Sequence, residues 1–318
     1  MTTQSPAITT LPSRDILLPF FIFILFVGGS PVAIRITYAE LAPFWMGLAR
    51  FGSGALVFWA LAFYKRLEFP KGRALLGAVL YGSLGIGVSF VLLAWGLVET
   101  SASLAAILLA LVPLMTVFLS ALQGVEALTG RGVFGSLLAV AGTAITVGGA
   151  SAGEVSAPHI AALIAGIALI AQSGVVIKRY PPLHPFMMNA VAMTVGAVIL
   201  AAASLLVGEP WIIPTQASTW TALGYLIIFV TIFSFLLYLQ VLGKWTASGA
   251  SYSFVVIPLV TVVVAAVLTS EQINANFLIG AAFVLVGVAV GALLPAKHKV
   301  DEQEECLDSA GQVLPRCS

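Results

Sequence analysis

Residues 99–126 read ETSASLAAILLALVPLMTVFLSALQGVE, and residues 244–271 read KWTASGASYSFVVIPLVTVVVAAVLTSE. At an offset of 145 positions, Ala102, Ser103 and Ala105 meet Ala247, Ser248 and Ala250. Pro113, Leu114, Thr116 and Val117 meet Pro258, Leu259, Thr261 and Val262. Ala121 and Glu126 meet Ala266 and Glu271, and Gly135, Gly142 and Ala144 meet Gly280, Gly287 and Ala289. These are 12 identities over the 47 positions from Glu99 to Ile145, without a gap. Proline and glutamate are rare in apolar helices, so shared ones carry more weight than shared leucines. The same offset pairs Ser89 and Phe90 with Ser234 and Phe235. Upstream the offset is slightly shorter: APFWMG from Ala42 resembles HPFMMN from His184, and Gly54 meets Gly196. The chain is built from two similar halves.

Outside the repeat the chain is just as apolar. Of 318 residues, 60 % are hydrophobic and 8 % are charged, against about 25 % charged in ordinary soluble domains. That excludes a soluble enzyme, a nucleic-acid binder and a disordered chain. The net charge of +1 argues neither for nor against a charged partner. Ten apolar segments follow one another, each near the roughly 20 residues a spanning helix needs. They are Ile16–Ile34, Pro43–Phe63, Ala74–Val98, Ser101–Leu122, Gly132–Gly149, Ile160–Ile177, Pro185–Val207, Trp220–Leu242, Ala247–Thr269 and Phe277–Leu294. Their links are short, so neighbours run antiparallel and no loop holds a soluble domain. The expected fold is an all-α polytopic membrane protein of ten transmembrane helices.

Charge sets the expected orientation. With the N-terminus in the cytoplasm, 12 of the 14 basic residues fall on the inner side, leaving Arg35 outside and Arg50 within a segment. This satisfies the positive-inside rule and puts both termini in the cytoplasm. Five segments per half is an odd number, so the second half (151–295) is inverted relative to the first (1–150), as alternating access requires. Residues 296–318 form a polar cytoplasmic tail. It holds both cysteines, Cys306 and Cys317, so neither a disulfide nor a thiolate metal site is expected in the apolar body.

The chain resembles the drug/metabolite transporter superfamily, EamA type, over residues 15–295. The markers are Pro43 with Arg50, SASLAAILLALVPL from Ser101, Glu126 with Gly135 and Gly142, and the second copies TASGASYSFVVIPL, Glu271, Gly280 and Gly287. The resemblance implies two inverted EamA repeats of five helices in a bacterial inner membrane. It also implies a central cavity between the first, third, fourth, sixth, eighth and ninth helices, and export of small metabolites, amino acids among them.

Ionisable groups within spans are functional candidates, and the segments hold few. No carboxylate lies near the middle of any. Arg50, seven residues beyond Pro43, either meets a substrate carboxylate or serves structure, by snorkelling or by bonding a neighbouring helix. Its counterpart in the second half is Ala192. Glu126 and Glu271 read as gates, or as caps on helix amides. Pro113 and Pro258, mid-helix in the fourth and ninth segments, read as hinges or as fixed bends. A small-molecule site wants aromatic walls and a few polar groups. The candidates are Ser30, Tyr81, Ser89 and Trp95, then Gln172, Ser173, Tyr225, Ser234, Tyr238, Gln240, Tyr252 and Ser253. Trp45, Trp211, Trp220 and Trp245 read as interfacial anchors. Gly28, Gly29, Gly85 and Gly87 read as sites of close helix approach.

The expected function is a non-enzymatic transporter of a small metabolite such as an amino acid, by alternating access. Efflux of hydrophobic drugs or neutral metabolites is the alternative, and a pore or lipid scramblase is the alternative of another class. No cofactor, metal or nucleic-acid partner is expected. The partners are the substrate and the bilayer, and one monomer suffices to enclose a pathway.

Overall fold

The computed structural model describes residues 14–96, 108–147, 157–269 and 275–293. Among them there is helix and no strand. Only helices and closed barrels satisfy every backbone group in hydrocarbon. In chain order the helices are α1 (Arg14–Gly28), α2 (Ser30–Thr37), α3 (Pro43–Tyr64), α4 (Gly72–Gly82) and α5 (Ser89–Gly96). Then come α6 (Val112–Leu122), α7 (Gly130–Val147), α8 (Ala157–Arg179), α9 (Pro185–Val207) and α10 (Ala217–Tyr225). The last are α11 (Ser234–Lys244), α12 (Ala247–Ser251), α13 (Ser253–Thr269) and α14 (Ala275–Val288).

Six helical stretches are long and apolar enough to cross a membrane: Asp15–Thr37, Pro43–Tyr64, Gly72–Gly96, Ala157–Arg179, Pro185–Val207 and Ala217–Lys244. Four shorter apolar stretches are Val112–Leu122, Gly130–Ile145, Ala247–Thr261 and Leu278–Gly291. Each of these stretches coincides with one of the ten apolar segments. Among the described residues, length alone thus supports six crossings rather than ten.

Two features interrupt the long stretches. The first breaks at Gly29 between α1 and α2. There the Tyr225 hydroxyl donates to the Phe26 carbonyl at 2.7 Å, and the Thr261 hydroxyl donates to the Gly28 carbonyl at 2.8 Å. Both glycines are needed for this approach. A side-chain carbon on Gly28 would stand 2.6 Å from Val260 Cβ, and one on Gly29 would crowd the Tyr225 ring. The second feature is a pair of wide π-turns. Ser83–Val88 joins α4 to α5, and Leu226–Phe233 joins α10 to α11. The 145-residue offset superposes them, so both halves carry the same irregularity at the same place.

Helices pack most extensively against their own repeat counterparts, α3 on α9 and α7 on α14. In the second pair glycine meets glycine. A side-chain carbon on Gly135 would lie 2.6 Å from the Gly287 carbonyl oxygen, and one on Gly142 would lie 2.7 Å from that of Gly280. The crossing order, 135 with 287 and 142 with 280, makes the two helices antiparallel. In the first pair Gly47 faces Leu200 and Gly54 faces Met193, again antiparallel. Further contacts come in equivalent sets: α1 packs on α11 and α13, while α8 packs on α5 and α6.

Pro113 departs from expectation. It opens α6 after a turn at Ala110–Leu111, where proline's missing N–H costs no helical bond. Pro258 does sit within its helix, α13.

Candidate functional site

Three of the expected polar residues gather around Gly85 and Gly174. Tyr81 on α4 is 2 % exposed, and its ring borders Gly85. A side-chain carbon on Gly85 would lie 2.7 Å from Ser173 Oγ and 3.5 Å from Tyr81 Cε2. On the next residue of α8, a carbon on Gly174 would lie 3.5 Å from the hydroxyl of Tyr238. Tyr238 packs against Phe23 of α1 (ring centroids 5.4 Å) and Phe254 of α13 (6.1 Å). The group therefore draws one residue from each of five helical stretches, and repeat-related stretches contribute a tyrosine apiece. Two hydroxyphenyl rings, a serine and flanking phenylalanines can hold the polar and apolar ends of a small molecule.

The other candidates lie elsewhere. Gln172 pairs reciprocally with Gln123, the residue that caps α6, amide to amide, at 2.7 and 3.2 Å. Ser30 starts α2 and is buried. Tyr225 is committed to the break in the first stretch. Tyr252 donates to the Gly132 carbonyl at 3.0 Å and lies 3.0 Å from the Ser136 hydroxyl, against α7. Ser253 donates to Ala250. Trp95 is 44 % exposed and stacks on His159, and Gln240 is exposed. Ser234 donates to the Phe229 carbonyl inside the second π-turn, at 2.7 Å. Its counterpart Ser89 is fully buried, and its hydroxyl has no partner among the described residues. Asn189 of α9, which the sequence did not single out, is fully buried with both amide atoms unpartnered among the described residues. A lone Asn in an apolar helix was the available signal.

The carboxylates stitch one half to the other at helix N-termini. Glu126 accepts the amides of Ala247 and Ser248 at the start of α12. Glu209 accepts those of Phe44 (3.1 Å) and Trp45 (2.7 Å) at the start of α3. Glu40 accepts those of Thr215 (3.0 Å) and Gln216 (3.2 Å) just ahead of α10. Helix N-termini leave amides without partners and carry partial positive charge, so a carboxylate there both bonds and neutralises. The geometry at Glu126 is that of a cap, reaching the other half rather than the next helix. Glu271 lies outside the described residues. The Thr215 hydroxyl bond, with the two amides, pulls the Glu40 carboxyl down to about 2. Trp45 and Trp211 stack at 4.6 Å beside the Glu209 cap. Trp245 is no anchor: it is 8 % exposed and packs edge-on against Phe20.

Arg50 does not snorkel. It is 4 % exposed, and its Nε donates to Thr231 Oγ1 in the second π-turn at 2.6 Å. It borders a cavity of about 40 Å³. A larger cavity of about 240 Å³ lies where α8, α9 and α11 converge, lined in part by Lys178, Tyr180 and Leu239.

Comparison with known proteins agrees with this architecture. The model of the EamA-like transporter family matches twice, over residues 16–148 and 157–292. An "Uncharacterized transporter" of Archaeoglobus fulgidus is 27 % identical, over 84 % of this chain and 95 % of its own. The uncharacterized transporter YyaM of Bacillus subtilis is 25 % identical, over 88 % and 95 %. The uncharacterized inner membrane transporter YedA of Escherichia coli is 28 % identical, over 81 % and 85 %. A crystal structure at 21 % identity superposes with a TM-score of 0.74 over 89 % of this chain and 98 % of the other, sharing its fold. With both halves matched and the apolar helices in place, the chain belongs to the EamA-like transporter family of multi-pass membrane proteins.

Proposed function

We propose that the protein carries a small amino-acid-like metabolite across the bacterial inner membrane by alternating access. Ten helices cross as two inverted halves, 1–150 and 151–295, with both termini and the tail 296–318 in the cytoplasm. The observation that carries this reading is the antiparallel pairing of repeat counterparts, Gly135 on Gly287 and Gly142 on Gly280. Such pairing lets one half rock against the other about a shared axis. In this reading Tyr81, Ser173 and Tyr238 form the substrate site, with Phe23 and Phe254 as its apolar walls. Pro258 leaves the Phe254 carbonyl without its helical donor, a freed group available to a polar ligand.

Transport is uncoupled from protons and runs outward. Glu40, Glu126 and Glu209 are occupied as caps, which favours exchange or facilitated diffusion. The aromatic walls also favour a second substrate class, neutral hydrophobic molecules.

Counterflow in proteoliposomes tests the reading. Vesicles preloaded with pools of amino acids, polyamines, sugars or nucleosides are given labelled solute, with and without a pH gradient. The expected result is accumulation from the amino-acid pool, indifferent to the gradient and reduced about tenfold or more in Tyr238→Ala. Accumulation that requires the gradient overturns the uncoupled reading. No accumulation from any pool, beside an active control carrier, overturns the substrate assignment.

A further inference from the structure

The geometry points to a second site, away from the tyrosines, at Arg50: we propose that its cavity binds a small monovalent anion. The guanidinium is 4 % exposed, between α3, α5 and the second π-turn. Arginine has five N–H donors. One, on Nε, goes to Thr231 at 2.6 Å. The four on the terminal nitrogens make no hydrogen bond to a described residue. The rings of Phe51 and Phe90 flank the group, their centroids 4.8 and 5.8 Å from the guanidinium carbon. Rings supply partial compensation for the charge, but they accept no hydrogen bonds of carboxylate strength.

The cavity it borders is lined further by Tyr38, Met46, Gly47, Ala94 and Leu200, and no lining residue is acidic. At about 40 Å³ it has the size of one or two small groups and not of a whole drug-sized ligand. A buried cation in apolar surroundings is costly without a counter-charge. A carboxylate fits the guanidinium fork with two parallel bonds, and chloride fits it as a point charge.

The equivalent crossing in the second half does without an arginine. Repeat symmetry sets Arg50 opposite Ala192, and its partner Thr231 opposite Ile86. The surroundings match on both sides. A side-chain carbon on Gly54 would meet Thr231 Cγ2 at 2.8 Å, and one on Gly196 would meet Ile86 Cβ at 2.8 Å. Ala192 and Ile86 are both fully buried. The second half thus packs the same crossing with an alanine and an isoleucine. The polar pair in the first half therefore does something beyond packing, and a guanidinium with no carboxylate beside it among the described residues, next to a cavity, does it by binding an anion.

The test is a thermal-shift titration of the purified full-length protein in detergent. Acetate and chloride are the probes, acetamide is the neutral control, and a sulfonate too bulky for the cavity holds ionic strength constant. The expected result is a saturable rise in melting temperature with acetate or chloride and none with acetamide. Arg50→Gln weakens the apparent affinity about tenfold or more. Ala94→Leu fills the cavity, leaves the guanidinium in place and abolishes the response, which keeps the test valid if Arg50→Gln fails to fold. Acetate preferred over chloride identifies the carboxylate of an organic ligand. Chloride equal or preferred identifies a free inorganic anion. An unchanged acetate response in both variants overturns the proposal, and so does an equal response to acetamide. Anion binding is read here without transport, so this outcome is independent of the counterflow result.

Discussion

Glu209 shows what a single carboxylate does in this bundle. Two amides at the start of α3, from the other half, and the neighbouring Ser204 hydroxyl with the Trp211 indole beyond it converge on this one side chain. Loss of a cap of this kind costs about 0.5–2 kcal/mol. Glu209→Ala should lower the thermal midpoint in detergent accordingly. Glu209→Gln should lower it less, because the amide oxygen still accepts while the dipole term is lost. Glu40 adds a pH signature. Its carboxyl sits at about 2 when folded, against an ordinary 4.5. A lowered folded value means stability that is fully present above 4.5 and lost as pH falls toward 2. Melting curves through that window should show the loss in the native chain and a smaller loss in Glu40→Gln. A native chain and variant with superimposable pH profiles would remove Glu40 from the account. Residue roles of this kind were half legible. That Glu126 would cap amides followed from its place at a helix end, but the partner lies 121 residues away, and only tertiary contact reveals it.

At the scale of elements, the glycine seam between α7 and α14 is the most demanding contact. Carbonyl oxygens stand where side-chain carbons would go at Gly135, Gly142 and Gly287. Backbone cannot retreat as a flexible side chain can, so Gly142→Leu and Gly287→Val force the helices apart. Each should cost about 3 kcal/mol or more, or block assembly, because overpacking and lost contact add. Gly224, inside α10, has open space around it. Gly224→Ala should be neutral or stabilise by up to about 1 kcal/mol through helix propensity. Comparing folded yield and melting temperature of these variants separates packing from propensity. The repeat-related glycines were visible in the sequence because they recur at a fixed offset. The π-turns were not, since Ser83–Val88 and Leu226–Phe233 share no marker beyond the Ser-Phe that follows each of them. Nor was the turn before Pro113 legible: a proline in a long apolar run looks the same whether it bends a helix or opens one.

For the whole molecule, the legible part was the duplication, because prolines, glutamates and glycines stand out against leucine and alanine. The inverted arrangement of the two halves rests on counting segments, and the antiparallel packing of repeat counterparts is the contact it predicts. Carboxylate caps and stacked indoles tie the loop ahead of α3 to the loop after α9, and Glu126 ties the end of α6 to the start of α12. If the halves rock as proposed, these two ties open in turn and never together. Each tie can be locked by a short thiol cross-linker in a background lacking Cys306 and Cys317, the chain's two cysteines. One lock joins Ala39→Cys to Thr215→Cys, and the other joins Glu126→Cys to Ser248→Cys. Either lock alone should abolish counterflow while leaving the melting temperature equal to or above that of the unlinked protein, and a cleavable linker should restore transport on cleavage. Locks that leave counterflow intact would show that solute crosses without relative motion of the halves. The two inverted repeats would then be a scaffold around a pore, and the antiparallel seam would hold the wall rather than the hinge.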